Sequence, residues 1–383
     1  MVSAPFGLAV IGWTLIGASV LGSAYWLIAG RLAKISLAKP KPVGGTSPGV
    51  SIIKPLHGLQ RGLGATLQTF CDQDYAGPVQ IVFGVHDDAD PAIAVVRALQ
   101  AAHPHLDIDL VIDGRSHGAN RKTSNLVNIL AAARHPVLMI SDADIVVAPD
   151  YVRTVVAALA APDVGLVSCF YLGESRAGLW SKLSAMGISY RFTPSAILAK
   201  AGRMAEPCFG ATIALSAETL HRIGGLVPLA DHLADDYEIG RAVRGIGMKI
   251  ALPPMAVIHL CDEARASILF DRELRAGRTV RHIDPWGYAG SVITYPLALA
   301  LMALALLGPS PITLAVTAGA LAARCVLKAS IDAATGRRAA SWWLLPVSDL
   351  LSFGLFVASF MVNSVGWHGT RFRVSRQGAL VQS

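Results

Sequence analysis

The sequence predicts an α/β protein: a doubly wound, mostly parallel sheet flanked by transmembrane helices. Three observations predict it. Residues 6–30 and the stretch 285–323 carry no charge, and uncharged apolar runs of about 20 residues are long enough to cross a bilayer. Between them, from about residue 48 to 284, charge returns and short apolar runs alternate with helical patterns, the order of a parallel sheet wrapped by helices. One of those runs, residues 136–141, closes on two aspartates one residue apart, Asp142 and Asp144. Open α/β sheets bind their ligands at the carboxyl ends of such strands.

Composition supports the membrane component. Of 383 residues, 53% are hydrophobic and 15% charged, with a mean hydropathy of +0.50. That is too apolar for a soluble chain and fits a membrane protein with a sizeable polar domain. The net charge of +7 is modest, and its lysines and arginines are scattered or sit beside apolar segments. Anionic lipid headgroups are the expected counterpart, not nucleic acid. Five cysteines without paired spacing (Cys71, Cys169, Cys208, Cys261, Cys325) read as free thiols in a reducing compartment.

Residues 1–47 read as an N-terminal transmembrane helix and a basic linker. A cleaved signal peptide is disfavoured, because no basic residue precedes the run and the run is too long. Arg31, Lys34, Lys39 and Lys41 follow it, so the positive-inside rule puts the next domain in the cytoplasm. That domain, 48–284, offers strands at 50–53, 79–83, 106–112 and 136–140 and helices at 91–102 and 124–133, the first opened by Asp90 and Pro91. In the C-terminal region, 285–383, Gly308-Pro309-Ser310-Pro311 divides the charge-free run into two spans. Lys328, Arg337 and Arg338 mark a cytoplasmic loop. Residues 342–366 contain Pro346 and Asp349 and precede a basic tail with Arg371, Arg373 and Arg376. A re-entrant or interfacial segment that returns the tail to the cytoplasm satisfies both facts.

Several groups suit phosphate and sugar chemistry. Asp142 and Asp144 could share one divalent cation with a diphosphate. Lys54 follows the first strand. Asp87, in the acidic turn after the second, is placed for a base or ribose edge, whereas Asp90 reads as a helix cap. Lys122, within Asn120–Asn125, precedes a helix whose amides suit phosphate. Asp235 and Asp236 stand before a later helical run. Arg272 and Arg275, then Arg278 and Arg281, are spaced three apart and share helix faces; such a face serves an interfacial helix or clamps a diphosphate.

The order Val50-Ser-Ile-Ile-Lys-Pro-Leu56, Gln73-Asp-Tyr75, Val85-His-Asp-Asp-Ala-Asp-Pro-Ala92, Ser141-Asp-Ala-Asp144, Ala234-Asp-Asp-Tyr237, Arg272-x-x-Arg275 and Trp367–Val374 resembles the ceramide glucosyltransferase-like membrane glycosyltransferases. These belong to the larger family-2 group with a GT-A fold. The hopanoid-biosynthesis branch is the nearest match, on 273–281 and 284–288. The resemblance implies a UDP-sugar donor, a membrane-lipid acceptor at the bilayer, and Mg²⁺ or Mn²⁺. It implies that Asp87 and Lys122 contact the nucleotide, that Asp142 and Asp144 hold the metal with Asp144 the direct ligand, and that Asp236 is the general base. Arg272 and Arg275 stand for the (Gln/Arg)-x-x-Arg-Trp motif, but Ala276 replaces its tryptophan. Two donor–acceptor pairs follow: UDP-GlcNAc with bacteriohopanetetrol, or UDP-glucose with ceramide. A processive polysaccharide synthase would need that tryptophan and more spans. A lipid transporter would need ionisable groups within its spans, and the sequence suggests none there apart from Asp349.

Overall fold

The computed structural model describes residues 6–38 and 46–361, and the backbone of 365–367, 370–374 and 380–382. Lys39, Lys41, residues 362–364, His368, Gly369 and Arg376, all invoked above, lie outside the described residues. In chain order the first elements are α1 (Phe6–Ser36), β1 (Val50–Pro55), α2 (Leu63–Cys71), β2 (Val79–Val85), α3 (Ala92–Ala102), β3 (Asp107–Ile112), α4 (Arg121–Leu130), β4 (Val137–Ile140) and β5 (Ile145–Val146). Next come α5 (Tyr151–Leu159), β6 (Val164–Ser168), β7 (Phe170–Ser175), α6 (Leu179–Gly187), a π-helix (Ile188–Phe192), α7 (Thr193–Ala201), β8 (Ile213–Ser216), α8 (Ala217–Arg222) and α9 (Asp235–Gly245). The last are β9 (Lys249–Ala251), β10 (Ala256–Cys261), α10 (Ala266–Ile283), α11 (Pro285–Gly290), α12 (Pro296–Leu307), α13 (Pro311–Thr335), α14 (Leu344–Ala358) and the short strands β11 (Val365–Trp367), β12 (Thr370–Val374) and β13 (Leu380–Gln382).

These elements form two compact units. One contains the seven-stranded sheet β3-β2-β1-β4-β8-β6-β9. Strands β3, β2, β1 and β4 run parallel, and β8 runs antiparallel to both β4 and β6. Strand β1 is buried throughout. Its Ile52 joins a core with Phe83 and Met139, while Ile53 joins a second core with Val82 and Ile140. Burial on both faces explains why two isoleucines stand side by side in this strand. A smaller sheet, β5-β10-β7, is not foreseen from the sequence: β5 has only two residues and pairs through Ile145 and Val146 with β10. The parallel-rich sheet with helices on both faces is the predicted α/β architecture.

The other unit draws on the described parts of Met1–Ala38, Ala177–Met204 and Glu263–Gly369. Helices α6, α7 and α10, read from the sequence as part of 48–284, therefore pack with the apolar helices. Two helices are long and apolar enough to cross a membrane, Gly7–Ser36 and Pro311–Thr335. The first of the two spans expected after residue 284 differs from the expectation: Pro285–Thr294 and Pro296–Leu307 meet at a bend of 69°. Pro296 cannot donate the helical hydrogen bond that would carry the helix straight through. The turn at 308–311 is as expected, with Gly308 at φ 78° and Ser310 capping α13. Helix α14 has 15 residues, fewer than the roughly 20 a straight crossing needs.

A second correction concerns charge. Helix α13 runs on to Thr335, so Arg324, Lys328 and Asp332 are part of it. Arg324 makes a two-pronged pair with Asp349 of α14, at 2.7 and 2.8 Å, and donates to the Tyr190 carbonyl of the π-helix at 2.8 Å. Its guanidinium also lies 4.4 Å from the Trp26 ring. Lys328, with no exposed surface, donates to Asp332 at 2.7 Å and to Tyr190 Oη at 2.9 Å. The expectation of spans without ionisable groups fails because it ended the helix at its first charge. Buried charges persist where they are paired and hydrogen-bonded.

Candidate active site

Helix α4 begins three residues earlier than the sequence suggests. Asn120 caps it, its side chain accepting from Thr123 N at 3.1 Å, which sets Lys122 in the first turn. The start of α4 is fastened to the loop before α9: Asn120 N donates to Ala230 O at 2.7 Å, Asn120 Nδ2 to His232 O at 2.8 Å, and Ala119 N to Asp231 Oδ1 at 2.8 Å. These contacts bring Lys122 to the acidic start of α9. Lys122 Nζ lies 2.6 Å from Asp142 Oδ1 and 3.4 Å from Asp235 Oδ2.

Strand β4 delivers Asp142. Beyond its end, Ser141 N donates to Ile53 O at 3.1 Å and Ser141 Oγ to Ala211 O at 3.0 Å. The second contact holds the loop before β8 against the end of β4. In that loop Gly210 N donates to Asp236 Oδ2 at 3.0 Å. A methyl group placed on Gly210 would lie 3.1 Å from Asp142 Oδ2, 3.2 Å from Lys122 Nζ and 3.7 Å from Asp236 Oδ2. Asp142, Lys122 and Asp236, remote in sequence, thus surround one bare backbone position. Gly210 was missed in the sequence, where nothing distinguishes it from other loop glycines.

Electrostatics follow from this crowding. Burial opposes the Lys122 ammonium, but Asp142 and Asp235 outweigh it and raise its pKa. Burial likewise raises the Asp142 pKa, against the pull of Lys122. Asp236 is pushed up to about 6, by burial first and then by Asp235, with Lys122 and the amides of Tyr237 and Gly210 opposing. A carboxylate poised near neutrality is suited to accept a proton.

The other expected residues are placed as follows. Asp87 is exposed, its Oδ1 accepting from Ala89 N at 2.9 Å. It lines a cleft of about 570 Å³ with His86, Ile112, Gly114, Ser116 and Arg121, a volume within the range of small-ligand sites. Arg121 and Lys122 are adjacent in the first turn of α4, so the cleft and the carboxylate corner share one helix start. Asp90 does more than start a helix: besides Ala92 N at 2.8 Å, its carboxylate accepts from Gly58 N at 2.9 and 3.1 Å. Lys54 is seated beneath the Asp142 turn and not in the open crevice, with no exposed surface. Asp144 Oδ1 lies 3.4 Å from His259 Nδ1 on β10.

In the other unit, Arg272 forms an ion pair with the buried Glu263 and donates to Ser184 Oγ at 3.0 Å. Arg275 is half-buried, and its guanidinium has no hydrogen bond or ion pair among the described residues. Burial and the neighbouring Arg272 both lower its pKa, and an anion at that position would relieve both. Ala276 is exposed.

The charge around Asp142 and Asp144 would admit one divalent cation. Four carboxylates (Asp142, Asp144, Asp235, Asp236), when ionised, face two ammonium groups (Lys54, Lys122), an excess of two negative charges that one such cation offsets. Among the described residues no three His, Cys, Asp or Glu side chains are grouped to hold a metal by themselves. A diphosphate and water would supply the remaining oxygens, as is usual for Mg²⁺.

A family model described as Glycosyl transferase family 21 matches residues 14–380. The chain belongs to glycosyl transferase family 21. Ceramide glucosyltransferase 1 of Caenorhabditis elegans is 28% identical over 210 residues, 54% of this chain and 44% of that protein. Ceramide glucosyltransferase 3 of the same organism is 26% identical over 231 residues, 60% of this chain and 50% of that protein. This family 21 chain thus spans about half the length of the curated relatives it matches. Among solved structures, the mannosyltransferase PcManGT from Pyrobaculum calidifontis, in complex with GDP-Man and Mn²⁺, aligns with a TM-score of 0.52 and 21% identity, covering 92% of this chain and 98% of that one. That likeness shows a GT-A-like fold.

Proposed function

We propose that this family 21 chain is an inverting hexosyltransferase that moves a sugar from a UDP-sugar to the hydroxyl of a membrane lipid. The convergence of Asp142, Lys122 and Asp236 around Gly210 carries the reading. Asp236 takes the proton of the acceptor hydroxyl as its oxygen attacks the anomeric carbon, and the carbon–oxygen bond to the diphosphate breaks on the opposite side. A positioned base of this kind contributes roughly 10²–10⁴-fold. Lys122 offsets the charge that grows on the departing UDP. Mg²⁺ or Mn²⁺, held by Asp142 and Asp144, would supply further neutralisation of that diphosphate. Asp87 meets the uridine from the adjoining cleft.

Two candidate spans support a membrane-lipid acceptor, and the basic residues after α1 support a cytoplasmic catalytic domain. Relatives named ceramide glucosyltransferase support UDP-glucose and ceramide as the substrate pair. The GlcNAc–bacteriohopanetetrol pair finds no support among them. The paired charges of α13 remove one sequence argument against a transporter, and the carboxylate corner is what favours an enzyme. Purified protein should be incubated with radiolabelled UDP-glucose or UDP-GlcNAc and either ceramide or a bacteriohopanetetrol-containing lipid extract, with Asp236→Asn alongside. A labelled lipid formed by the wild type alone is expected, and its sugar and lipid identify the pair. No labelled lipid from any combination would end the proposal.

A further inference from the structure

Beneath the carboxylate corner lies a lysine in an unusual place. Lys54 ends β1 with no exposed surface. Its Nζ donates to the main-chain oxygen of Asp142 at 2.8 Å and lies 3.5 Å from Ser141 Oγ. The Phe70 ring supports it from the other side, its centroid 3.6 Å away. Burial lowers its pKa to about 7, with Asp142 and Asp144 opposing the fall. A buried ammonium is costly unless its surroundings use it.

The carbonyl it meets is the one that closes a turn. Ile145 N donates to Asp142 O at 3.4 Å, so residues 142–145 form a tight turn with both aspartates on it. Lys54 therefore holds the closing acceptor of the segment that displays Asp142 and Asp144. With no exposed surface, the ammonium is closed off from the crevice in this arrangement.

We propose that Lys54 is a positioning residue: it pins the Asp142 carbonyl from below and thereby sets the turn that offers both carboxylates to a divalent cation. This rests on the donor-and-cation reading above. Its sign is distinctive. A positive charge under the turn repels a dication, so a purely electrostatic role predicts tighter cation binding once the charge is removed. Positioning predicts weaker binding, by about tenfold or more, as is usual for groups that orient metal ligands.

The test is Mn²⁺ binding to full-length protein in detergent, with and without saturating UDP, followed by electron paramagnetic resonance, for wild type and Lys54→Met. Methionine keeps the length and suits the Phe70 pocket. Weaker Mn²⁺ binding by folded Lys54→Met, with thermal unfolding unchanged, supports the proposal. Equal or tighter binding overturns it and leaves the donor reading intact. A wild type that binds neither Mn²⁺ nor UDP overturns both. Should the variant fail to fold, an experimental structure of the wild type with Mn²⁺ and UDP decides. Nζ on the Asp142 carbonyl supports positioning; Nζ on a phosphate oxygen overturns it.

Discussion

Asp142 and Asp236 approach the same point: a methyl on Gly210 would meet Asp142 Oδ2 at 3.1 Å and Asp236 Oδ2 at 3.7 Å. One carboxylate comes from the end of β4, the other from the first turn of α9. In the proposed reaction their meeting would put a cation ligand and a proton acceptor at one corner of the sheet. Asp236→Asn keeps the shape and removes the base. Transfer should fall roughly 10²–10⁴-fold, while UDP affinity, measured by calorimetry, stays within about twofold, because the change subtracts only a transition-state contribution.

The proton affinity of Asp236 sets a pH limb. Its pKa is raised to about 6, so the base is lost as pH falls through that value. Wild-type kcat/KM should be level above pH 7 and drop about tenfold per pH unit well below 6. The same shift affects stability. A carboxyl whose folded pKa exceeds its unfolded one is stabilised when protonated, so this group opposes folding above pH 6 and ceases to do so as pH falls below about 4. A rate profile flat to pH 5 would remove Asp236 from the role.

Gly210 is where an added carbon should be felt most. In Gly210→Ala the methyl presses on Asp142 Oδ2 and, at 3.2 Å, on Lys122 Nζ. Side chains can yield by a few tenths of an ångström, so the fold should persist with a small change in Tm. Activity should fall by about tenfold to 10²-fold, the usual cost of slight misplacement at a reacting centre. Unchanged turnover would mean that the corner is not where transfer occurs.

Cation binding should depend on the paired aspartates together. Chelation with EDTA should abolish transfer, and Mn²⁺ should restore it. Asp144→Asn should weaken Mn²⁺ binding by about tenfold or more and leave the thermal unfolding midpoint close to that of the wild type. Full activity in EDTA-treated protein would refute the cation's role.

The Arg324–Asp349 pair predicts a stability effect in the other unit. Asp349→Asn leaves a buried guanidinium short of its counter-charge and should cost about 3–5 kcal/mol. Replacing both partners, Arg324→Met with Asp349→Leu, should recover most of the loss. Thermal unfolding in detergent would show it; equal losses in single and double variants would refute the pairing.

Much of the site can be read from the chain because its groups sit at element ends. Asp142 and Asp144 follow an apolar run that pairs as β4, and Asp235 and Asp236 open a helix. Lys54 resists such reading: a residue at a strand end can face the ligand or the core, and only the Phe70 seat, contributed by α2, decides. Gly210 is legible only once its neighbours are in place. In the unit that holds the apolar helices, hydropathy marks apolar stretches but not how they end. Pro296 bends one, and α13 continues past its first arginine because α14 and the π-helix supply partners. Both outcomes depend on tertiary contacts that a local pattern does not contain.

The ties from Asn120 to Ala230 and His232 also bear on biogenesis. During synthesis, β1 to β4 can pair as they emerge, yet Lys122 meets Asp235 only after the ribosome has delivered α9. The corner is therefore completed late, and a nascent polypeptide halted before residue 230 would carry the aspartate turn without Asp236.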